Sequence, residues 1–469
     1  MTLLDQLLDH SEAMDTAPLP PAAREAATVF LTDSVSVALA GSRHPRLPQV
    51  QAAAAAWGAG AQARDWASGQ PWPAPTAALL NAWQIHNQEF DCVHERAVVH
   101  PLATILPALV AVAQREQASG AALLKALVLA VDVAATLGCA QGAPMRFFRP
   151  AMCGAMGAAL GLAQLTGCSR AQRADALGIA YSQLAGTMQA HLEGSPMLAM
   201  QVGLAARAAV TALDLARAGF SGPHDVLEGP FGYFELFDAP LAPRRAQVAA
   251  EFARLPFGSD PAQVGPHRIA EVSHKPFPTG RAAHGALDGL ATLLDAEPGI
   301  TADAVQQVEL AAPPLILRLV GRPWRADMDV NYARLCLPYL VATWLLERRV
   351  TLAHFRPEAL RRPACAELAM RVSWRPNDCA DPNALAPQTL TLRLRDGSHR
   401  HIELPAVLGH PQRPLSPGAQ RAKFDQCCNF AGLDAAAAAR LHQACGQLHD
   451  APNLDAWLAA IRVPASTPP

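Results

Sequence analysis

The chain of 469 residues lacks several patterns by which large protein classes are recognised. Charged residues make up only 17% of it, the formal net charge is −2, and no basic stripe is present. Nucleic-acid binding is therefore not expected, because phosphate neutralisation needs clustered lysines and arginines. No P-loop is found, and the segment "GCAQGAPM" lacks the preceding strand that a dinucleotide-binding fold requires.

Signals for secretion and membrane insertion are also missing. The N-terminal "MTLLDQLLDHSEAMD" carries acids where a signal peptide needs bases. No uninterrupted apolar run approaches the ~20 residues of a membrane span, since Lys125 and Asp132 break the alanine-rich stretch 121–140. We expect a soluble, cytoplasmic protein that does not enter the membrane.

The ten cysteines are scattered and include no CxxC pair. In a long chain without a secretion signal, this distribution predicts free thiols, most of them buried. Structural zinc is not expected.

Hydrophobic residues, by contrast, make up 51% of the chain. Helical patterns fill residues 1 to about 260, strand patterns follow at 305–310 and 369–374, and alternation around Asp396-Gly397 predicts a hairpin. The tail returns to helical patterns. We predict a mainly α fold in which residues 1–264 and 406–469 form one large helical domain, with residues 265–405 inserted as a smaller α+β lid.

The stretch "NQEFDCVHERAVVH" concentrates acids and histidines in a chain dominated by alanine and leucine. Catalytic zinc usually shows two histidines four residues apart on a helix. Here His86, His94 and His100 are spaced eight and six apart. We predict no metal, although a mixed site of Cys92, His94 and His100 stays open as an alternative.

Three cationic residues precede prolines near predicted helix starts: His100, Arg149 and Lys275. A helix N-terminus favours an anion and lowers the pKa of a histidine placed there. Three such groups would suit a small polycarboxylate. The alternative from spacing alone is three capped surface helices.

The segment 271–289 is the densest basic cluster, and it contains Lys275, Arg281 and His284. It lies at the predicted junction between the two domains, where ligand clefts tend to form. A solvated loop is the alternative interpretation.

Three segments together resemble one family: "AWQIHNQEFDCVHERAVVHPLATILPALVAVAQ", "SHKPFPTGRAAHGALDG" and "LPAVLGHPQRPLSPGAQRAKF". They are similar, in order, to the HxxDFDDTH…HPS, KP[FY]P and GxPxxP blocks of the MmgE/PrpD family. That family contains 2-methylcitrate dehydratases, cis-aconitate decarboxylases and iminodisuccinate epimerases. The resemblance implies homodimers, an inserted lid and no organic cofactor.

The resemblance also implies an activity. We expect a cofactor-free lyase, either a hydro-lyase of the 2-methylcitrate dehydratase type or a decarboxylase, acting on a small di- or tricarboxylic acid. The alternatives are an isomerase or epimerase of a similar acid, and a catalytically silent homologue that binds a ligand.

Residue roles follow from the same resemblance. His100 is expected to be the general base, steered by Glu89 or Asp91, while His284 or Tyr339 supplies a proton. Lys275 and Arg149 are expected to clamp carboxylates, with Arg281 assisting.

The chain departs from the family pattern at several of these positions. Glu89 replaces an aspartate, and Arg149 and Gln201 replace histidines, with Gln201 expected to contact substrate. The remaining changes remove polar or reactive side chains at Cys92, Val93, Leu198, Gly280 and Cys336.

Overall fold

A computed structural model describes residues 1–256 and 266–463. Helix accounts for 57% and strand for 8%, which confirms the predicted mainly α class. The predicted domain border at 264/265 lies outside the described residues. The domain limits therefore stay a prediction.

The helices of the first half of the chain are mostly long and apolar. They are α1 (Leu3–Thr16), α2 (Pro21–Gly41), α3 (Leu47–Ala56), α4 (Ala74–His86), α5 (Pro101–Arg115), α6 (Gly120–Cys139), α7 (Arg149–Leu165), α8 (Arg170–Tyr181), α9 (Gln189–Glu193), α10 (Met197–Arg217), α11 (Tyr233–Phe237) and α12 (Arg245–Phe252). Two short strands, β1 (Ala63–Arg64) and β2 (Pro71–Trp72), pair antiparallel within this half, which the sequence patterns did not predict.

The core of this half is a bundle of α4, α5, α6, α7 and α10. Small residues let the helix axes approach closely. A Cβ added to Gly157 would lie 2.4 Å from the backbone oxygen of Ala130, and one on Gly154 would lie 2.7 Å from Thr104. These glycines therefore serve packing.

The helices of the second half are shorter. They are α13 (His284–Ala296), α14 (Pro314–Val320), α15 (Val330–Ala333), α16 (Leu337–Glu347), α17 (Pro357–Leu360), α18 (Pro363–Ala369), α19 (Pro417–Ala431), α20 (Ala435–Gly446) and α21 (Asp455–Ile461). Helices α19 and α20 pack against α2. Lys423 of α19 pairs with Asp33 of α2 at 2.7 Å, so the C-terminal helices rejoin the N-terminal ones.

Between α13 and α19 the chain also contributes the four strands of one sheet. Its order is β4 (Val372–Pro376), β3 (Val305–Ala312), β5 (Gln388–Leu394) and β6 (His399–Leu404). Strands β5 and β6 form the hairpin predicted at Asp396-Gly397, where Gly397 has a φ of 86°. β4 begins at Val372, later than predicted, because α18 continues to Ala369.

Within residues 1–256 and 266–463, two helices, α6 and α10, are long and apolar enough to cross a membrane by length and composition. The sequence was expected to contain no segment apolar enough to span a membrane, and these two helices weaken that expectation. In α6 the apolar stretch is 89% buried inside the protein, and a core helix of a soluble protein passes the same test. The ten cysteines are free and nine are buried, as predicted.

Candidate active site

A cavity opens where the N-termini of α5 and α7 face the segment 280–282 and α14. Its polar wall contains His86, Glu89, His100, His191 and Arg281. The rest of the lining is apolar or small: Val93, Val98, Met145, Phe148, Pro150, Met188, Leu198, Gly280, Ala282, Leu319, Val320, Leu335 and Leu385.

The acidic side of the site is built by the turn that follows α4. Glu89 adopts a positive φ of 51°, a region that non-glycine residues seldom occupy and that often marks functional sites. Lys275 donates to the Glu89 carboxylate at 3.1 Å and to the Glu89 backbone oxygen at 3.0 Å. Its Nζ lies 3.9 Å from Asp91 Oδ1. The strained turn thus places two carboxylates around one buried ammonium group.

Asp91 lies between two histidines. Its Oδ2 is 2.9 Å from His86 Nδ1 and 3.1 Å from His100 Nδ1. The contact to His100 is close but is not aligned as a hydrogen bond. The two imidazole rings meet edge to face, with centroids 5.0 Å apart. One carboxylate therefore holds both rings at the cavity wall.

Electrostatics separate the two histidines. Burial and Lys275 lower the pKa of His100, and Asp91 offsets them only in part. Burial also acts to lower the pKa of His86, but Asp91 and Glu89 outweigh it and raise that pKa. The surroundings therefore favour the neutral form of His100 and the protonated form of His86.

The carboxylates in the same cluster stay ionised. Burial acts to raise the pKa of Glu89, yet Lys275, His86 and His100 lower it to about 2. Burial acts to raise the pKa of Asp91 too, but His86, His100 and Lys275 hold it well below its usual range.

His100 is the N-cap residue of α5, as predicted from Pro101. Its Nδ1 faces Asp91, so Nε2 is the ring nitrogen that does not face this carboxylate. Within the described chain Nδ1 has no aligned hydrogen bond, and the ring lines the cavity. The geometry therefore offers a neutral imidazole nitrogen to a bound molecule.

Arg281 lines the cavity, but its donors are engaged. The guanidinium contacts Glu95 at 3.0 and 2.8 Å and the backbone oxygen of Leu408 at 2.7 Å. His284 lies behind it, fully buried, with Nε2 3.2 Å from the oxygen of Thr279. Burial, Arg281 and Lys275 lower the pKa of His284 well below its usual value.

Three other predicted residues do not line the cavity. Arg149 begins α7 and donates to the backbone oxygens of Ala97 and Ala143, at 3.5 and 3.1 Å. Tyr339 is buried, and its hydroxyl donates to the backbone oxygen of His354. Gln201 accepts from the backbone N–H of Thr187 at 2.7 Å. None of these three side chains lines the cavity. Their expected contacts with substrate stay predictions.

Lys275 also differs from its predicted setting. It was expected near a helix N-terminus, but a 3₁₀ turn at Arg281–Ala283 comes before α13, which begins only at His284. Lys275 reaches the site from an irregular segment, through hydrogen bonds to Glu89.

Two histidines of the wall had been given no catalytic role from the sequence. His86 is the last residue of α4, and its spacing to His94 and His100 was compared only with metal motifs. His191 on α9 accepts at Nδ1 from Arg322 at 3.2 Å. Burial and Arg322 lower the pKa of His191 to about 3, so this ring is neutral. No sequence signal singles His191 out.

Ligand atoms of His86, Asp91 and His100 lie within 4.8 Å of one another, close enough to hold a metal ion. His94, from the alternative metal site, instead bonds Glu271 at 3.1 Å. The ammonium of Lys275 already supplies positive charge beside Asp91. That charge disfavours a divalent cation at the cluster.

Comparison with known proteins gives matches over most of the chain. The sequence model of the MmgE/PrpD N-terminal domain matches residues 5–244, and that of the MmgE/PrpD C-terminal domain matches residues 277–447. The cis-aconitate decarboxylase of Mus musculus is 27% identical over 367 residues, which cover 75% of this chain and 71% of the mouse protein.

Two fungal proteins are similar as well. The cis-aconitate decarboxylase of Aspergillus terreus is 28% identical over 228 residues, which cover 47% of this chain and 46% of the fungal protein. The cis-aconitate decarboxylase-like protein oryM of Aspergillus oryzae is 24% identical over 338 residues, or 68% of this chain and 69% of that protein. Since the two domain models together match most of the chain, in order, the chain belongs to the MmgE/PrpD family.

Proposed function

We propose that the protein is a lyase that acts on a small carboxylic acid by proton transfer at a carbon beside the carboxylate. The observation that carries this proposal is the pair of histidines on Asp91. One carboxylate holds His100 and His86 at a cavity, and their pKa values are shifted in opposite directions. Environments that drive two titratable groups apart are typical of an acid and base pair.

In this mechanism the neutral Nε2 of His100 is the base. It takes the proton from the carbon, and the C–H electrons move toward the adjacent carboxylate as an enolate-like charge. His86 lines the cavity and its pKa is raised by Asp91 and Glu89, so it is placed to protonate a leaving hydroxide. His284 has its ring nitrogens directed to Thr279 and Arg281, which leaves it a supporting role.

Dehydration and decarboxylation remain the two candidate reactions. Dehydration is the type predicted from the resemblance. The relatives in mouse and Aspergillus terreus are cis-aconitate decarboxylases by name, which favours C–C cleavage with loss of CO₂. In that reaction a protonated histidine supplies the proton to the carbon that CO₂ leaves.

The test begins with a thermal-shift screen of citrate, 2-methylcitrate, cis-aconitate and iminodisuccinate, since a ligand that binds the folded state raises the melting temperature. Each hit is then incubated with enzyme in D₂O and followed by NMR. Loss of the C–H signal beside the carboxylate, or a new alkene signal, is expected with wild type and not with His100→Gln. A ligand that binds without exchange or turnover would contradict the lyase proposal.

A further inference from the structure

A second cavity, which we call the arginine pocket, lies between the end of α2 and the segments 327–334 and 352–361. It has a volume of about 650 Å³, and among the described residues none lines both this pocket and the candidate active-site cavity. The acids in its lining are two aspartates, so positive charge exceeds negative charge by three. The positive residues are five arginines: Arg43, Arg46, Arg334, Arg356 and Arg361.

His44 lies at the buried floor of the arginine pocket and is 5% exposed. Burial, Arg334 and Arg46 lower its pKa to about 4, so the ring is neutral near pH 7. Its Nδ1 accepts from the backbone N–H of Arg46 at 3.1 Å, which places the ring proton on Nε2. Asn331 is close to the ring, but Nε2 is buried and has no aligned hydrogen bond within the described chain. The floor therefore contains a buried donor that is not satisfied, which is rare in folded proteins.

Arg334 is the second residue of the floor and is 2% exposed. Its Nη1 donates to the backbone oxygens of Gln88 at 2.7 Å and Pro278 at 3.0 Å, and its Nη2 donates to Oε1 of Gln88. Its Nε is buried and has no hydrogen-bond partner among residues 1–256 and 266–463. All these acceptors are neutral. Burial lowers the pKa of Arg334, and Glu89 offsets this only in part. A buried cation in this setting is stabilised by a nearby anion.

Arg334 also marks the border with the candidate active site. It lines a smaller cavity together with His86 and Glu89, and it holds the backbone oxygen of Gln88, the residue before the Glu89 turn. The guanidinium group thus lies between the arginine pocket and the carboxylate cluster.

The rim of the pocket carries further positive charge. Arg46 is half-buried and Arg361 is exposed, and neither forms an ion pair within the described residues. Arg43 donates to a backbone oxygen of α19 at 2.7 Å, which leaves its charge without a carboxylate. The carboxylate of Asp329 caps α15 by accepting from two backbone N–H groups at 3.0 Å. The excess of positive charge is therefore not neutralised by the nearest acid of the lining.

The chemistry of the lining favours a phosphate group. A phosphate ester carries a charge of about −1.5 to −2 at pH 7 and three strongly accepting oxygens, whereas a carboxylate carries one charge and two oxygens. Arginine forks bind such oxyanions in pairs of hydrogen bonds. Met328, Leu352 and Leu360 add hydrocarbon to the lining, which suits an organic part of the same ligand.

We propose that the arginine pocket is a binding site for a phosphate-bearing anion, separate from the active-site cavity. The phosphate lies on the floor beside His44 and Arg334, and Arg46 and Arg361 close on it from the rim.

Calorimetry on the full chain, at constant ionic strength, compares phenyl phosphate, inorganic phosphate and benzoate. We expect phenyl phosphate to bind about tenfold or more tightly than benzoate, because the same ring then carries the larger charge. Tighter binding of phenyl phosphate than of inorganic phosphate assigns the site to a phosphate ester, and equal affinity assigns it to free phosphate. Benzoate binding as tight as that of phenyl phosphate overturns the proposal, and so does failure of both phosphates to bind.

The double variant Arg46→Gln/Arg361→Gln locates the ligand. It should weaken phenyl phosphate binding about tenfold, because two exposed charged contacts are lost. Arg440→Gln is the matched control, since Arg440 is an exposed arginine of α20 that does not line the pocket. The control should keep the wild-type affinity. Unchanged affinity in the double variant places the ligand elsewhere and overturns the proposal.

Hydrogen exchange of the wild-type protein gives the same answer without a substitution, should the double variant fail to fold. Phenyl phosphate should slow amide exchange in the segments 42–50 and 328–336, which form the floor and part of the rim. Protection confined to the start of α5, at the active-site cavity, overturns the proposal.

Discussion

Two buried aspartates in this protein each lie between two histidines, yet their surroundings differ. Asp132 is 3.1 Å from His10 and 2.6 Å from His267, and its other oxygen accepts from the backbone N–H of Arg268 at 2.7 Å. Asp91 holds His86 and His100 beside a cavity, and its Oδ1 has no hydrogen bond within the described chain.

The comparison shows what separates a structural cluster from a reactive one. The Asp132 cluster ties α1 and the segment 267–268 to the middle of α6, and none of its members lines the cavity. The Asp91 cluster leaves polar atoms unsatisfied at a cavity wall and adds the ammonium of Lys275. The same residue types thus form a cross-link in one place and a candidate acid and base pair in the other.

The largest contrast is expected from His100→Gln. Removing the base should lower kcat about 10²–10⁴-fold, with little change in the unfolding free energy, because the ring already faces a cavity. Turnover by NMR and urea unfolding measure the two effects. Turnover at the wild-type rate in this variant would show that the Asp91 cluster is no more reactive than the Asp132 cluster.

A stability effect of similar size is expected at Lys275. Lys275→Met leaves Glu89 and Asp91 buried without their cation, which should lower the unfolding free energy by about 3–5 kcal/mol. Adding Glu89→Gln should restore part of the loss, because one buried charge is removed. Denaturant unfolding of the single and double variants provides the measurement, and no recovery in the double variant would count against the pairing.

His267→Gln tests the structural side of the comparison. Loss of a hydrogen bond to a buried carboxylate should lower the unfolding free energy by about 1–3 kcal/mol. We expect kcat to stay within about twofold of wild type, since the residue lies away from the cavity. A large fall in kcat with unchanged stability would place this cluster in the reaction.

The pH dependence of stability sharpens the same point. Burial acts to raise the pKa of Asp132, but His10 and His267 lower it to about 2 from its ordinary 3.8. A depressed folded pKa contributes stability above the unfolded pKa, and this is lost as the pH falls from about 4 toward 2. The contribution is about 2 kcal/mol. Asp132→Asn should flatten this part of the urea midpoint profile, whereas an unchanged slope would show that Asp132 does not contribute.

The smallest effect is expected from chelation. Both clusters have ligand atoms close enough for a metal, but the oxygens of Asp132 are already bonded and Lys275 lies beside Asp91. Treatment with EDTA followed by dialysis should leave activity and the melting temperature unchanged. Activity that is lost and then restored by zinc would assign a metal to the Asp91 cluster.

Much of the fold was predictable because its causes are local. Apolar periodicity marked the long helices, Pro101 marked the start of α5, and Asp396-Gly397 marked the hairpin. The small β1–β2 pair was missed, because two-residue strands carry too little alternation to be seen.

The site was predictable only in part. The segment around Glu89, Asp91 and His100, and its link to Lys275, came from the sequence and its family resemblance, and the structure brings these residues together. Arg149, Tyr339 and Gln201 were expected at the substrate, but their side chains bond elsewhere. A side chain's direction depends on neighbours that are distant in sequence.

The sequence by itself determined the helical class, the buried thiols and the family, because periodicity, composition and motif order are properties of the chain. Only the tertiary structure decided which of the two carboxylate–histidine clusters faces a cavity. It alone also showed that the cations of Lys275 and Arg281 are matched by Glu89 and Glu95. Charge pairing and desolvation depend on contacts between residues that lie as much as 186 positions apart in the chain, and no local pattern encodes them.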